Sequence, residues 1–178
     1  RTLEEPEALS FDKENTGISI SQIDQYDFMP VNSIEDTASP VKASTSNVFK
    51  AETAEQLNEI SFLTGSPGTK VEYSVYILPD QFDNPEDGIK VVSGKTEPYE
   101  YGGFHKLKLD EPVLLQEGQN YSIVITEITA DGEYNINIEM GLGKTMALLV
   151  DSPCYVKGIV NKNESFINFK GKWHDYSD

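Results

Sequence analysis

Apolar and polar residues alternate with a period of two along most of the chain from Asn47 onward. Every second residue from Val71 to Ile77 is apolar, and in Glu133–Met140 the two kinds of residue alternate at each step. Successive side chains of a β-strand point to opposite faces, so this pattern predicts strands with one buried face and one face in water. Sheets of that kind are usually antiparallel.

Shorter segments with the same alternation are separated by turns rich in glycine, proline, aspartate and serine. The further predicted strands are Leu57–Thr64, Ile89–Ser93, Phe104–Leu109, Tyr121–Ile128, Met146–Val150, Tyr155–Val160 and Ser165–Phe169. No long segment has the 3.6-residue period of a helix. Many short strands with frequent turns predict an all-β fold, an antiparallel β-sandwich of the jelly-roll kind.

Residues 1–46 have a different character, because they are rich in acidic residues, serine and threonine, with apolar residues only in small islands. One island, Ile18–Ile20, has the alternation of a short edge strand, and Tyr26–Met29 is another. We expect an irregular acidic N-terminal arm or linker over 1–46 and the sandwich domain over 47–178.

Composition and charge narrow the classes of function. Apolar residues make up 38% of the chain, enough for a hydrophobic core, and the net charge is −16, which repels the phosphate backbone of nucleic acid. No apolar run approaches the ~18 residues of a membrane-spanning helix. The single cysteine, Cys154, excludes a disulfide within the chain and a cysteine-rich zinc site.

The residues that could form a nucleophilic site are Cys154, His105 and His174. Strand alternation places His105 on the same face as Leu107 and Leu109, so we predict a structural histidine inside the sandwich. Cys154 lacks the local sequence found around protease nucleophiles. We therefore expect no enzyme activity from this chain alone.

The densest group of oxygen ligands lies in the segment from Asp80 to Gly88. Asp83, Asn84 and Asp87 could supply part of the six to eight oxygen ligands that calcium takes, although the spacing is not that of an EF-hand. A solvated acidic turn is the alternative, since aspartate, asparagine, proline and glycine also favour turns.

Aromatic residues concentrate near two glycine-containing segments, where Tyr99, Tyr101 and Trp173 could stack on a sugar or a peptide. Both glycine-containing segments are predicted to lie in loops or at strand ends. The alternative is core packing, in which Trp173 closes one end of the sandwich.

An ordered series of short segments can be compared with known families. The segments are Asn47–Glu52, Leu57–Thr64, Tyr73–Ile77, Ser93–Gly94, Tyr101–His105, Leu109–Val113, Glu117–Val124, Asn163–Phe166 and Gly171–Trp173. The series, over roughly 47–176, resembles the lectin-like domain that follows the catalytic domain in many bacterial papain-like cysteine proteases. Leu63 stands where this family leads us to expect an aromatic residue, and the Cys–His–Asn set of a papain-like enzyme is not recognisable.

The resemblance implies a lectin-like β-sandwich that is extracellular or associated with the bacterial cell wall. It implies cell-wall glycan, a protein ligand or an adjoining protease domain as partner, and 1–46 then includes the end of that protease domain or a linker from it. The leading hypothesis is a non-catalytic binding or positioning module, accessory to a secreted cysteine protease. The alternatives are a structural spacer without a ligand and the C-terminal part of an active cysteine peptidase.

Overall fold

The computed structural model describes residues 24, 40–137 and 159–177, and the secondary structure of these residues consists of nine β-strands. The strands are β1 (Ala43–Lys50), β2 (Glu55–Thr64), β3 (Lys70–Leu78), β4 (Ile89–Lys95), β5 (Gly103–Leu115), β6 (Asn120–Ile128), β7 (Tyr134–Asn135), β8 (Ser165–Phe169) and β9 (Lys172–Asp175). No helix in this part of the chain is long and apolar enough to cross a membrane.

The strands form two antiparallel sheets, which confirms the predicted all-β sandwich. The large sheet has the order β4-β3-β6-β1-β8-β9, with the short β7 also paired to β6, and the small sheet contains only β2 and β5. The central strand β6 pairs with β3 over its whole length and with β1 over residues 120–125. The first strand, β1, lies between β6 and β8, so early and late parts of the described chain pair in the large sheet.

The main core lies between the two sheets, and we call it the inner cluster. Its buried members come from both sheets and are Phe49, Ala51, Ile60, Phe62, Val71, Leu109, Val113, Leu115, Tyr121 and Ile125. The small sheet has only two strands, so burial of apolar surface between the layers holds it in place.

A second core, the outer cluster, lies on the opposite face of the large sheet. Val48 and Val124 belong to it, whereas their neighbours Phe49 and Ile125 point inward, as alternation along a strand requires. Its other members are Tyr76, Leu78 and Phe166, with Phe82 and Trp173 packed against them. The large sheet is therefore covered on both faces, at least in part.

The segment 79–88 between β3 and β4 covers the outer cluster. Pro85 is fully buried, and the Ser122 hydroxyl on β6 donates a hydrogen bond to its carbonyl oxygen. Gly88 marks the point where the segment returns to the sheet, because a Cβ there would collide with the carbonyl oxygen of Ile77. This acidic segment is thus a cover on the sheet rather than a free hairpin tip.

Most predicted strands are confirmed with small changes at their ends. Of the strand predicted over Glu133–Met140, only Tyr134–Asn135 forms a strand among the described residues, and residues 138–140 lie outside them. Two further segments differ from the prediction. The strand predicted over Phe104–Leu109 continues to Leu115 through Pro112, which is tolerated because it lies in the irregular stretch between Lys108 and Val113, where the pairing with β2 shifts register. The segment around Trp173, assigned to a loop or strand end, forms the strand β9 against β8.

The remaining sequence predictions concern residues outside the described part of the chain, in whole or in part. Cys154 and the predicted strands Ile18–Ile20 and Met146–Val150 lie outside it, as does most of the predicted strand 155–160. Within the range 1–46, β1 begins at Ala43, and the Asp24 carboxylate accepts a hydrogen bond of 2.7 Å from the Tyr121 hydroxyl. The described residues of the predicted arm therefore include one that hydrogen-bonds to the sandwich, Asp24, and the first residues of β1.

Candidate functional site

Tyr99 and His105 stack on each other at one end of the small sheet. Their ring centroids lie 3.8 Å apart with nearly parallel planes, and both rings contact Phe62 of the inner cluster. The Nε2 atom of His105 shares a 2.9 Å hydrogen bond with the Thr64 hydroxyl. His105 is on the inner face, as predicted, and Tyr99 is half-buried, so its ring is used in packing.

Tyr101 is exposed, at 68% of its surface, just before β5 begins. Two apolar side chains lie at the same end of the small sheet: Phe104 is 59% exposed and Leu63, its partner across the strand pair, is 41% exposed. We call Leu63, Tyr101 and Phe104 the exposed apolar patch. Exposed apolar side chains of this kind often mark a contact surface, and the ring of Tyr101 is free to stack.

Trp173 lies elsewhere, half-buried against the outer cluster. Its indole N–H donates a 2.9 Å hydrogen bond to Oε2 of Glu86, and Oε1 of the same carboxylate accepts one from the Tyr76 hydroxyl, also at 2.9 Å. Glu86 thereby fastens the segment 79–88 to β3 and β9 together. Tyr99 and Trp173 pack on opposite faces of the large sheet, so the structure does not bring the three predicted stacking rings onto one surface.

The predicted calcium ligands lie together in the segment 79–88, beside a shallow open depression that Asp83 and Asp87 help to line. Oδ2 of Asp87 accepts hydrogen bonds from the backbone N–H groups of Asp83 at 2.7 Å and Asn84 at 2.9 Å. These hydrogen bonds, above all the one from Asp83, hold the pKa of Asp87 below its usual value, against the opposing effect of burial. The carboxylate closes the turn with the donors of the loop itself.

Calcium at Asp83, Asn84 and Asp87 stays a prediction. In the described part of the chain, no three His, Cys, Asp or Glu side chains are grouped so that they could hold a metal ion. If calcium binds the folded protein here, the melting temperature rises with calcium more than with sodium at equal ionic strength, and Asp87→Asn removes the difference. Equal melting temperatures in the two salts contradict the prediction.

Sequence reasoning missed two carboxylates with structural roles, Glu86 and Glu127. Glu127 is only 4% exposed and lies on the inner face of β6, where alternation with Ile125 places it. It accepts hydrogen bonds from the side-chain amides of Asn135 and Asn137. The only hint in the sequence was a glutamate at an inward position of a predicted strand.

The geometry defines a class of protein: an all-β sandwich in which exposed aromatic and apolar side chains lie at one end of a small sheet. A sequence model of the family described as "Lectin like domain" matches residues 23–178. The chain belongs to this lectin-like domain family. The match includes Asp24, which contacts the sandwich.

Two solved structures have a similar fold. One is a clostridial cysteine protease, Cwp84, after propeptide cleavage, with a TM-score of 0.58 and 19% identity, covering 85% of this chain and 34% of that one. The other contains the cysteine protease and lectin-like domains of Cwp84, described as a surface layer associated protein of Clostridium difficile; its TM-score is 0.52 at 20% identity, covering 75% of this chain and 28% of that one.

At these identities the likeness shows a shared fold. The present chain spans about a third or less of the chains it resembles. A search of curated protein sequences finds no match.

Proposed function

We propose that this chain is a non-catalytic binding or positioning module, extracellular or bound at the cell wall, and accessory to a secreted cysteine protease. The observation that carries the proposal is membership of the lectin-like family over 23–178, together with a fold shared with a protease that also has a lectin-like domain. Fold alone does not define a function, so the proposal needs a surface that can bind.

The exposed apolar patch is the surface that we propose for ligand contact. Tyr101 is well exposed, and its hydroxyl donates a 2.8 Å hydrogen bond to Glu100, so the ring has a preferred position before a ligand arrives. A flat ring with a polar edge suits the apolar face and the hydroxyl groups of a sugar, and cell-wall glycan is the ligand class that we favour. Tyr99 and Trp173 contribute by holding the neighbouring structure rather than by stacking.

Catalysis finds no support in the described part of the chain. The His105 ring is occupied by Thr64 and Tyr99, and it lies on the inner face of the small sheet. His174, the other histidine, is exposed on β9 and pairs in register with Ile167. We propose that any peptidase activity of a longer polypeptide comes from another domain. The peptidase alternative then concerns that longer polypeptide.

Replacement of Tyr101 by alanine tests the proposed surface. We expect Tyr101→Ala to change the free energy of unfolding by less than ~0.5 kcal/mol, because the side chain is exposed. Retention on purified cell-wall glycan should fall by about tenfold or more, as for loss of a central aromatic contact. The measurement pairs a thermal melt with a glycan pull-down.

Leu114→Ala is the matched control, because Leu114 is 71% exposed at the opposite end of β5. It should leave retention unchanged. Equal loss of retention in both variants would show that the effect is not specific to the patch. If the unmodified protein retains neither glycan nor cell-wall protein, the spacer alternative replaces the binding hypothesis.

A further inference from the structure

The carboxyl group of Glu127 joins three separate segments at one end of the sandwich. Its Oε2 atom accepts a hydrogen bond of 3.2 Å from the amide of Asn135 on β7, and Oε1 accepts one from Asn137. The backbone N–H of Gly65, in the turn between β2 and β3, is a third donor. One side chain on β6 therefore holds both the segment after β7 and the turn that leaves the small sheet.

Asn137 extends this connection across the two layers. Its amide nitrogen also donates to the Leu63 carbonyl oxygen at 3.0 Å, so it bridges β2 of the small sheet and β6 of the large sheet. In the inner cluster, the described residues join the two sheets through apolar side chains. The Glu127–Asn137 pair is thus a directional polar link at an end where the apolar core stops.

No cation neutralises Glu127 among the groups that hold it, since all three are neutral hydrogen-bond donors. An ionised carboxylate buried in this way is costly, whereas a neutral carboxylic acid is not. The amide of Asn135 can turn by half a rotation and present its oxygen to the acid proton. We propose that Glu127 is a pH-sensitive latch: the neutral acid closes this end of the sandwich, and ionisation loosens it.

The electrostatic surroundings agree with the proposal. Burial raises the pKa of Glu127 to about 7, although the hydrogen bonds from Asn137, Asn135 and Gly65 each act to lower it. On the paired strand β3, Lys70 and Glu72 flank the inward-pointing Val71 and so lie on the other face. These charges do not share the inner face with Glu127.

Other titratable side chains lie on the elements that pack near Glu127. On the facing small sheet, His105 bonds to Thr64, next to Gly65. Glu133 and Tyr134 precede Asn135, and alternation turns Tyr134 away from the face that Asn135 shares with Glu127. Tyr73 on β3 packs against the inner cluster. His105 is the histidine among these groups, so its replacement serves as a control in the test.

The direction of the pH effect follows from linkage. The carboxyl has a pKa of 4.5 in its ordinary state and about 7 when folded. The folded protein therefore holds the proton more tightly, and this part of the stability is fully present below pH 4.5 and is lost as the pH rises through 7. The difference corresponds to a fall of up to about 300-fold in the ratio of folded to unfolded protein.

Glu127→Gln tests the latch, because glutamine has the same shape and stays neutral at every pH. The free energy of unfolding is measured by denaturant titration from pH 4.5 to 8.5 with a chelator present. We expect the wild type to lose stability over this range by up to about 300-fold in the folding equilibrium, and the variant to lose at least tenfold less. Glu133→Gln, the same chemical change in the adjacent turn, should titrate like the wild type.

Two further measurements keep the proposal testable if the glutamine variant folds poorly. Hydrogen exchange of the wild type should show that protection at Glu127 and Asn135 falls, relative to Val124 in the centre of β6, as the pH passes 7. Isotope-edited infrared spectra should show the carbonyl band of a protonated Glu127 at pH 6. His105→Gln should keep the full pH response. A Glu127 ionised below pH 5, or parallel stability curves for wild type and Glu127→Gln, would overturn the latch.

Discussion

Phe62→Ala should destabilise the protein by about 3–5 kcal/mol, as truncation of a buried phenylalanine usually does. Phe62 is 7% exposed and belongs to the inner cluster, where its ring meets those of Tyr99 and His105. Because the small sheet has only two strands, its packing on the large sheet depends on side chains buried in the inner cluster, such as Phe62. The measurement is the free energy of unfolding by denaturant titration.

The neighbouring residue provides the control for Phe62. Leu63 lies on the same strand but points outward, opposite Phe104, and is 41% exposed. Leu63→Ala should cost less than about 1 kcal/mol, because its side chain is largely in water already. If the two substitutions cost the same, the assignment of the inner face of β2 is wrong.

Trp173→Ala is the second substitution with a large expected effect, about 2–3 kcal/mol, which is less than for a fully buried tryptophan. The indole packs on the outer cluster and donates to Glu86, which in turn accepts from Tyr76. Its loss should release the segment 79–88 from β9. Hydrogen exchange in the outer cluster, along with the thermal melt, would show this release.

Trp173→Phe separates packing from the hydrogen bond. Phenylalanine keeps most of the apolar contact but lacks the donor to Glu86, so we expect a cost of only about 1 kcal/mol. Glycan retention should be unchanged in both variants when measured well below their melting temperatures. Retention that falls while stability stays intact would instead make Trp173 a stacking residue in the ligand site.

Strand positions were predictable because the period of two is a local property of the sequence. The alternation over Val71–Ile77 predicted β3. The inward position of His105 followed from its even spacing in sequence from Leu107 and Leu109. The prediction ended this strand at Leu109, whereas β5 continues to Leu115. Its pairing with β2 shifts register between Lys108 and Val113, and this shift depends on the partner strand rather than on the local sequence.

The candidate site was less predictable because it depends on contacts between residues far apart in the chain. Asp83, Asn84 and Asp87 lie together because they are neighbours in sequence, and calcium binding by them stays a prediction. Tyr99 and Trp173 both lie near glycines in the sequence, but they pack on opposite faces of the large sheet, a difference that depends on contacts between distant parts of the chain. The role of Glu127 depends on three donors from two segments outside its own strand.

The proposed binding function is tested most directly by co-sedimentation of the purified chain with isolated bacterial cell envelopes at increasing salt. A saturable fraction should bind, should resist salt because the patch is apolar and aromatic, and should be released by soluble cell-wall glycan and by Tyr101→Ala. With its net charge of −16, the protein should not bind an anionic envelope by charge attraction. Absence of saturable binding, or binding that Tyr101→Ala leaves intact, would contradict the proposed surface.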